Sequence, residues 1–455
     1  MPKLITNRTR IEDLGKPRII VIGGGFAGMQ VVERLGEMDC QVVLFDKHNH
    51  HTFQPLLYQV ATSAIQTQSI IYPFRKKFRN QLDFYFRLAE VTEINPEENS
   101  IETSIGSVKY DVLVIASGAT SNYFGNPNFE KYSLPLKSIE DAITLRNRIF
   151  RNTELALLTD DPIEMNSYLD YVVVGGGPTG VELAGSLAEM KNHIFPFDYK
   201  ELDIREMDIH LIEASDRLLN GMSKKSADKT LGYLKDLGVQ VHLNCKIQDY
   251  DGLVATFDNI EPIPTKSLIW AAGVKGNPIS GLNPKSYAPN GRIIVNDFNQ
   301  VRMHPNVFVI GDLAMLKTKD FPNGLPMVAP VAIAQGKRLG KNIHDYYIGN
   351  KMTPFKYVNK GAMATIGRNL AVAELKSAKF SGRIAWLIWI FVHLMSLAVF
   401  KSRFNTLMSW FSSYLSYDKA NRFIIGSSFG PDAIKKEHFE DGSMKIKEAL
   451  DEMVM

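Results

Sequence analysis

Two glycine-rich loops are the stretches of this sequence whose residue types and spacing could do chemistry. The first loop, Gly23–Gly28, follows the apolar run Ile19–Ile22, and the second, Gly175–Gly180, follows Tyr171–Val174. In such a loop the first glycine allows a tight turn, the second lets the backbone approach a pyrophosphate, and the third lets the next helix pack closely. The free N–H groups at the start of that helix also attract phosphate. Each loop therefore predicts a dinucleotide-binding site.

An acidic residue follows each loop, at the end of the next predicted strand. Asp46 ends the strand that begins at Gln41, and Glu213 ends the strand that begins at Ile209. A carboxylate in this place binds the hydroxyl groups of an unphosphorylated ribose and repels a 2′-phosphate, so the second site should prefer NAD to NADP. The second loop lies farther from its acid than the first, and we interpret Phe195–Tyr199 as an insertion between helix and strand.

Two dinucleotides in one chain indicate hydride transfer from a nicotinamide to a flavin, with FAD at the first loop and NADH at the second. Strands that run into small residues at Ala116–Gly118 and Ala272–Gly273 fit this arrangement, because small residues let a cofactor come close. A further strand ends at Asp312, whose carboxylate, at the start of a helix, would bind the ribityl hydroxyls of the flavin. Asp312 could equally be the N-cap of that helix, and both roles can hold together.

The segment Lys47–Tyr58 contains three histidines. Their spacing has no ligand geometry and no matching Cys or His cluster follows, so we predict no metal site. We interpret the segment as a loop that crosses the cofactor crevice at the carboxyl ends of the strands. The candidate cofactor-binding residues are Gly23, Gly25, Phe26, Ala27, Gly28, Asp46, Lys47, His51, Gln54, Ala116, Gly118, Asp312, Gly175, Gly177, Thr179, Gly180, Glu213, Ala272 and Gly273.

The composition of the 455-residue chain is that of an ordinary globular protein, with 45% hydrophobic and 22% charged residues. Its net charge of +3 is too small to indicate a nucleic-acid partner. The two cysteines, Cys40 and Cys245, are far apart, which excludes a disulfide scaffold and favours buried, inert thiols. The stretch Met1–Pro17 lacks the features of a secretory or transit signal, so we expect the protein to stay where it is made.

The C-terminal region has a different character. Alternation in the segment 360–373 predicts strands, and the apolar stretch Ile384–Phe400 follows. As a helix this stretch would cover roughly 25 Å, which is marginal for a hydrocarbon core of about 30 Å, and His393 near its middle would be costly in lipid. Three of the four tryptophans lie in this region, and Arg383 and Lys401 bracket the stretch, which is typical of helices in the headgroup layer. A pair of core or dimer-interface helices is the alternative.

Taken together, these segments resemble the type II NADH dehydrogenases, the single-subunit, non-pumping NADH:quinone oxidoreductases of bacterial and mitochondrial membranes. The resemblance covers nearly the whole chain, and the insertion and the C-terminal region make it specific. The segments that carry it are Ile22–Gly28, Phe53–Leu57, Val174–Glu182, Phe197–Tyr199, Trp270–Val274, Gly311–Asp312 and Trp386–Lys401.

The resemblance implies an α/β fold like that of glutathione reductase, with two Rossmann-like dinucleotide-binding domains, no redox disulfide, and a C-terminal membrane-associating region with amphipathic helices. It implies noncovalent FAD, NADH as substrate and a membrane quinone as acceptor. Glu182 matches a family glutamate near nicotinamide and flavin and is the candidate catalytic residue, and Lys360 falls in the segment that approaches the quinone. The predicted domains are 1–137 and 282–350 for FAD, 138–281 for NADH, and 351–455 for the C-terminal strands and helices.

The sequence departs from the family at one place. The family carries Ala-Gln-x-Ala-x-Gln ahead of a glycine, with both glutamines near the quinone headgroup, whereas the two glutamine positions here are Pro330 and Ala334. Neither side chain can hydrogen-bond a quinone carbonyl. The quinone-site candidates are Ala329, Pro330, Ala332, Gln335 and Lys360.

The predicted function is therefore hydride transfer from NADH to FAD, followed by transfer of two electrons to a membrane quinone without proton pumping. The expected location is peripheral, or monotopic, on the cytoplasmic face of the cell membrane, and a homodimer is an assembly that the sequence leaves open. One alternative is a soluble NADH-dependent flavin reductase of a protein acceptor, similar to a ferredoxin reductase. The other is a redox-sensing flavoprotein module with slow turnover.

Overall fold

The computed structural model describes residues 8–376, 378–397, 400–416, 422–425 and 446. Residues 1–7 of the N-terminal stretch and residues 398–399 of the apolar stretch lie outside the described residues. The α-helices are α1 (Phe26–Leu35), α2 (Leu57–Ala61), α3 (Phe74–Lys77), α4 (Pro127–Tyr132), α5 (Ile139–Ala156), α6 (Pro162–Leu169), α7 (Pro178–His193), α8 (Phe195–Asp198), α9 (Lys224–Asp236), α10 (Ala329–Tyr347), α11 (Arg383–Ser396) and α12 (Phe400–Ser416).

The β-strands are β1 (Arg18–Ile22), β2 (Gln41–Asp46), β3 (His50–Thr52), β4 (Ile71–Pro73), β5 (Phe84–Leu88), β6 (Val91–Asn95), β7 (Ser100–Thr103), β8 (Gly106–Lys109), β9 (Val112–Ile115), β10 (Ala119–Ser121), β11 (Leu134–Pro135), β12 (Tyr171–Val174), β13 (Ile209–Glu213), β14 (Gln240–Leu243), β15 (Ile247–Tyr250), β16 (Val254–Phe257), β17 (Ile263–Pro264), β18 (Ser267–Trp270), β19 (Val274–Gly276), β20 (Ile293–Ile294), β21 (Gln300–Val301), β22 (His304–Val309), β23 (Ala314–Met315), β24 (Ala362–Gly367), β25 (Leu370–Leu375) and β26 (Ala378–Ser381).

The chain forms two compact units, and each contains one glycine loop. The first unit comprises the segment that ends at Thr52, together with Ile71–Thr120 and Val274–Asn359. The second comprises Phe53–Ile70, Ser121–Gly273 and the described residues from Lys360 onward. The division predicted from the sequence, with boundaries after residues 137, 281 and 350, stays a prediction.

The first unit is built on a six-stranded sheet in the order β21-β22-β9-β1-β2-β5. Its strands are parallel except for the edge pair β21 and β22, and β1 lies between β2 and β9. The apolar run Ile19–Val21 has no exposed surface, as expected for a parallel strand covered on both faces. This order brings the carboxyl ends of β1, β2 and β9 to one edge of the sheet, beside the first glycine loop.

The second unit repeats the arrangement with a five-stranded sheet in the order β11-β18-β12-β13-β14. All of its pairs are parallel, and β12 lies between β13 and β18. The second glycine loop therefore leaves the centre of this sheet. The predicted α/β class with two Rossmann-like sheets is confirmed.

Helix α7 connects the second loop to the C-terminal sheet within the same unit. That sheet is antiparallel, in the order β24-β25-β26, in the region where the alternation predicts strands. A Cβ atom at Gly185 of α7 would overlap the carbonyl oxygen of Ile366 in β24. The helix therefore packs with its backbone directly against the sheet.

The apolar stretch Ile384–Phe400 is not one continuous helix, as the sequence pattern alone could have allowed. Helix α11 ends at Ser396, and the guanidinium group of Arg403 in α12 donates hydrogen bonds to the carbonyl oxygens of Leu397 (3.0 Å) and Met395 (3.1 Å). These bonds satisfy carbonyl groups at a helix end that otherwise lack a partner. Within the part of the chain that the structure describes, no helix is both long and apolar enough to span a bilayer.

Candidate functional site

The first loop turns β1 into α1 with the geometry that a pyrophosphate requires. Gly23 has a φ of +96°, and a Cβ there would meet the backbone of Ala116. At Gly28 a Cβ would overlap the carbonyl oxygen of Gly23, so the helix lies tightly against the turn. Gly25 differs, because no atom lies within 4 Å of its Cβ position. The space beside Gly25 is therefore open, at the N-terminus of a helix that has no side-chain cap.

The second loop repeats this geometry residue by residue. Gly175 has a φ of +114° and faces the backbone of Ala271. At Gly180 a Cβ would overlap the carbonyl oxygen of Gly175, while the Cβ position of Gly177 has no neighbour within 4 Å. Thr179 is exposed in the first turn of α7. In each loop, therefore, an added Cβ atom would clash at the first and third glycines and would meet no atom at the second.

The two predicted carboxylates hold their loops in the same way. Asp46 accepts a hydrogen bond from the Gly24 N–H, and Glu213 accepts one from the Gly176 N–H, each at 2.6 Å. Burial raises the pKa of Asp46 above its usual value, and the N–H groups of Gly24 and His48 lower it again. Oε1 of Glu213 also accepts from the Ser215 N–H and hydroxyl, and Oδ1 of Asp46 accepts from the His48 N–H. Because each carboxylate oxygen has two acceptor positions, Oε2 of Glu213 and both oxygens of Asp46 have room for a ribose hydroxyl beyond these bonds.

The other candidates of the first unit include His51, Lys47 and Gly118, which lie in different surroundings. His51 is buried, and its Nδ1 lies 3.0 Å from the carbonyl oxygen of Gly24; burial lowers its pKa. Its ring also meets the ring of Phe26 edge-on at 5.1 Å. Lys47 is exposed and forms an ion pair with Glu90 at 2.5 Å. Gly118 has a φ of +73° with open space at its Cβ position.

Asp312 does not start a long helix. It lies in the three-residue 3-10 turn Gly311–Leu313, for which Ile310 is the N-cap residue, so the N-cap interpretation of Asp312 is wrong. A residue 24 positions further along the chain stabilises this turn, because the Gly311 N–H donates a hydrogen bond to Oε1 of Gln335 at 2.8 Å. The ribityl role of the half-buried Asp312 carboxylate stays a prediction.

Three further candidates belong to the second unit. Gln54 donates a hydrogen bond from Nε2 to the carbonyl oxygen of Lys137 at 3.2 Å. Gly273 has a φ of +70°, and its carbonyl oxygen accepts from the Asn122 N–H at 3.3 Å. Ala272 is half-buried beside it.

Glu182 lies in the second turn of α7 with 8% of its surface exposed. Burial raises the pKa of its carboxyl group to about 8, and the Thr365 N–H lowers it. The Thr365 N–H donates to Oε1 at 3.4 Å. At neutral pH the group is therefore largely protonated, which makes it able to donate a hydrogen bond or a proton.

A cavity of about 100 Å³ lies next to Glu182, within the second unit. Aromatic side chains from α2, α11 and α12 form much of its wall. Gln59 joins them, because its Oε1 accepts from the indole N–H of Trp410 at 2.7 Å and its Nε2 donates to the Tyr58 hydroxyl at 3.0 Å. Its wall includes Tyr58, Gln59, Glu182, Trp389, Trp410 and Tyr414.

Comparisons with known proteins decide the family. The model of the pyridine nucleotide-disulphide oxidoreductase family matches residues 17–336. Two proteins of Mycobacterium tuberculosis, the type II NADH:quinone oxidoreductases Ndh and NdhA, are 34% and 35% identical to this chain over 414 and 419 residues. Each match covers 88% of this chain and 88% of the relative. The chain belongs to the type II NADH:quinone oxidoreductases. The resemblance that the sequence motifs indicated is thereby confirmed.

A solved structure supports the same fold. The NDH2 of Plasmodium falciparum, in complex with NADH, superposes with a TM-score of 0.83 at 22% identity, covering 90% of this chain and all of that one. The disulfide reaction in the name of the wider family has no counterpart in this chain's thiols. Cys40 and Cys245 are both free and buried, as predicted, and burial raises the pKa of each to about 11.

The quinone-site candidates of this oxidoreductase fall in two places. Ala329, Pro330, Ala332 and Gln335 lie in the first turns of α10 in the first unit, and Lys360 is exposed at the start of the C-terminal segment in the second. Gln335 has no exposed surface, and its Oε1 is bonded to Gly311. The structure thus gives Gln335 a structural role, and the quinone roles of these five residues stay predictions.

The sequence pattern predicted that Tyr58 ends a loop across the cofactor crevice and that Trp389 and Trp410 lie in headgroup-layer helices, but it did not predict that they border one cavity together with Gln59. Tyr58 and Gln59 stand directly after the Phe53–Leu57 segment that supported the family resemblance, which is the signal that could have drawn attention to them. Trp410 is 351 positions from Gln59, and no local pattern predicts that hydrogen bond.

Proposed function

We propose that this protein uses FAD to oxidise NADH and reduce a membrane quinone, without pumping protons. The observation that carries the proposal is the presence of two glycine loops of identical construction, each with one open position at an uncapped helix start and one carboxylate braced against it. The relatives named above are type II NADH:quinone oxidoreductases, which supports the same activity here.

The first unit offers the groups that FAD needs. The open space at Gly25 and the free N–H groups of α1 would receive the pyrophosphate, and Asp46 would accept the ribose hydroxyls. Asp312 would bind the ribityl chain. When bound, the flavin accepts a hydride from NADH and passes two electrons on.

The second unit offers the corresponding groups for NADH. Gly177 and the start of α7 would receive the pyrophosphate, and Glu213 would bind the ribose and repel a 2′-phosphate. Glu182 follows in the next turn of the same helix and would act as a proton donor, because burial raises the pKa of its carboxyl group to about 8.

A spectrum of the purified protein tests this function. We expect flavin absorbance that NADH bleaches without oxygen, that NADPH bleaches far more slowly, and that duroquinone or menadione then restores. A protein without flavin absorbance, or a flavin that NADH does not bleach, would contradict the proposal. Rapid bleaching with quinone turnover far below one per second would instead support the redox-sensing module.

We also propose that α11 and α12 attach the protein to a membrane surface. On α11 the side chains of Ile384, Leu387, Phe391 and Met395 recur at helical spacing and are 49–65% exposed. On α12 the side chains of Phe404, Leu407, Met408 and Phe411 are 40–57% exposed. An apolar helix face beside polar residues is what a headgroup-layer helix presents.

His393, which would be costly in lipid, lies on the other side of α11. Its ring stacks on Trp389 at 4.1 Å, and its Nδ1 lies 2.8 Å from the Trp389 carbonyl oxygen. Burial lowers its pKa to about 4, so the ring is neutral at neutral pH. His393 therefore adds no charge to the apolar face of α11 that we propose to contact the membrane.

The double variant Leu387→Glu/Phe391→Glu should detach the protein from lipid. Each apolar side chain contributes about 1.5–3 kcal/mol when it leaves water, so affinity for vesicles should fall roughly 100-fold or more. Sedimentation with phospholipid vesicles measures the effect. The matched control is Leu82→Glu/Met303→Glu, which makes the same kind of change at side chains that are 88% and 79% exposed. Equal loss in both double variants would contradict the assignment to α11.

A further inference from the structure

The β13–α9 loop, residues 214–223, folds back onto the second glycine loop. The Leu219 N–H donates to the carbonyl oxygen of Gly176 at 2.8 Å, and the Gly176 N–H donates to Oε2 of Glu213 at 2.6 Å. Leu219 has a φ of +50°, a left-handed conformation that is uncommon for a bulky side chain, and only 2% of its surface is exposed. The β13–α9 loop is therefore fixed beside the carboxylate that we propose for the ribose.

A chain of side-chain hydrogen bonds crosses this loop and ends on that carboxylate. Nδ2 of Asn220 donates to the Ser215 hydroxyl oxygen at 2.6 Å, and that hydroxyl donates to Oε1 of Glu213 at 2.5 Å. The Ser215 N–H donates to the same Oε1 at 2.8 Å. Both acceptor positions of Oε1 are thereby used, so these bonds fix the orientation of the Glu213 carboxylate.

The side chain of Arg217 is bound to the same asparagine. Its Nε donates to Oδ1 of Asn220 at 3.2 Å, and its Nη2 donates to the carbonyl oxygen of Asn220 at 3.5 Å. Nε and Nη2 form an edge of the guanidinium group that can bind two oxygens of a phosphate at once. Both acceptors here are neutral oxygens, so they hold the positive charge of Arg217 in place without neutralising it.

Arg217 lies close to the place where a 2′-phosphate would enter. Its carbonyl oxygen is 3.0 Å from the Ser215 hydroxyl oxygen, which in turn contacts the Glu213 carboxylate. A 2′-phosphate is attached to the ribose oxygen that Glu213 would bind, so the carboxylate repels it, whereas an arginine at this end of the site accommodates it. The β13–α9 loop thus contains one group that rejects the phosphate and one that is able to bind it.

We propose that Asn220 sets how strictly the site excludes 2′-phosphorylated nucleotides, because it occupies the phosphate-binding edge of Arg217 and braces Ser215 against Glu213. Asn220 is thus a positioning residue for the choice of coenzyme. Without its Oδ1, the guanidinium group turns toward the ribose and binds a 2′-phosphate through charge-assisted hydrogen bonds. The inference rests on the proposed function and adds the residue that keeps the arginine from NADPH.

The variant Asn220→Ala tests the proposal. We expect the ratio of kcat/KM for NADPH to kcat/KM for NADH, with duroquinone as acceptor, to rise roughly 10-fold, the scale of one charge-assisted hydrogen bond. Adding Arg217→Gln to this variant should return the ratio to its original value, because the amide has no charge for the phosphate. Arg217→Gln alone should change the ratio little, since Asn220 already occupies the guanidinium group.

The ratio separates a positioning role from a structural one, because a loosened loop would affect both nucleotides alike. Asn192→Ala is the matched control, since Asn192 is an exposed asparagine of the second unit whose Nδ2 donates to the carbonyl oxygen of Leu237 at 3.0 Å. Its ratio should equal that of the unaltered protein. An unchanged ratio in Asn220→Ala, or a rise that survives the addition of Arg217→Gln, would overturn the inference.

Binding of nucleotide fragments tests the same inference without turnover. Adenosine 2′,5′-bisphosphate and AMP differ only in the 2′-phosphate, and titration calorimetry on the purified protein gives a Kd for each. In Asn220→Ala the affinity for the bisphosphate relative to AMP should rise roughly 10-fold, and the rise should disappear when Arg217→Gln is added. An equal relative affinity in Asn220→Ala and in the unaltered protein would overturn the inference. Failure of the proposed function is a different result, in which NADH does not bleach the flavin of the unaltered protein.

Discussion

The variant Gly25→Val is expected to fold and to lack FAD. The backbone at Gly25 has a φ of −69° and a ψ of −167°, which any residue can adopt, and no atom lies near its Cβ position. The added side chain would therefore occupy the space intended for the pyrophosphate without disturbing the fold. Loss of two charge-assisted hydrogen bonds, at about 1.5–3 kcal/mol each, lowers affinity for FAD by roughly 100-fold or more. Flavin absorbance per protein after purification measures the loss.

Two further substitutions make this prediction specific. Gly177→Val, in the second loop, meets equally open space and should keep FAD but fail to bleach it with NADH. Gly28→Val adds the same atoms where a Cβ would overlap the Gly23 carbonyl oxygen, so it should lower Tm as well as flavin content. Retention of FAD in Gly25→Val, or its loss in Gly177→Val, would contradict the assignment of the two loops.

The variant Glu182→Gln is expected to slow quinone reduction roughly 100-fold, within the range for loss of a general acid. The amide keeps the shape of the carboxyl group but cannot release a proton. Turnover of the unaltered enzyme should fall as pH rises through about 8, because the carboxyl group then loses its proton. The variant should be slow and lack this fall. Steady-state rates of duroquinone reduction by the unaltered enzyme and by Glu182→Gln, measured from about pH 6 to about pH 9.5, provide the comparison.

Stability gives an independent test of the same carboxyl group. Between the usual carboxyl pKa and about 8, the folded state holds a proton that the unfolded state does not, so stability falls as pH rises. The fall amounts to about 1.4 kcal/mol per pH unit, and glutamine has no such dependence. The Tm of Glu182→Gln relative to the unaltered protein should therefore rise with pH across this window.

Glu189→Gln is the matched control for both measurements. Glu189 lies on the same helix and borders the same cavity, and its carboxylate accepts from the Arg368 N–H at 2.5 Å. Its rate profile should keep the fall near pH 8. A flat profile in the unaltered enzyme, or an unchanged profile in Glu182→Gln, would remove Glu182 from the proton path.

The repeated strand, loop and strand could be predicted because their signals are local. The apolar run before Gly175, the glycine spacing and the acid at Glu213 lie within one stretch of chain, and the structure has β12, α7 and β13 there. The steric reason for each glycine follows from the turn itself. Burial of Cys40 could also be predicted, because it adjoins a strand of the core.

The remaining features depend on contacts between distant residues. The turn at Asp312 is held by Gln335, and the end of α11 is held by Arg403, so the sequence around either place predicts a longer helix than the structure has. The link from Trp410 to Gln59 spans most of the chain. A polar side chain in an apolar pattern shows that a partner is needed, but only the packed structure shows which residue supplies it.

Helix α7 has one further consequence. It begins at the second loop, carries Glu182 in its second turn, and rests its backbone on β24 at Gly185, about 10 Å along the helix from its start. One helix thus joins the second loop to the wall of the cavity. Thermodynamic linkage requires that any factor by which one occupant changes the affinity of the other is returned equally in the opposite direction. If a nucleotide at the second loop and a ligand in the cavity change each other's affinity, the factor is the same whether it is measured from the nucleotide or from the cavity.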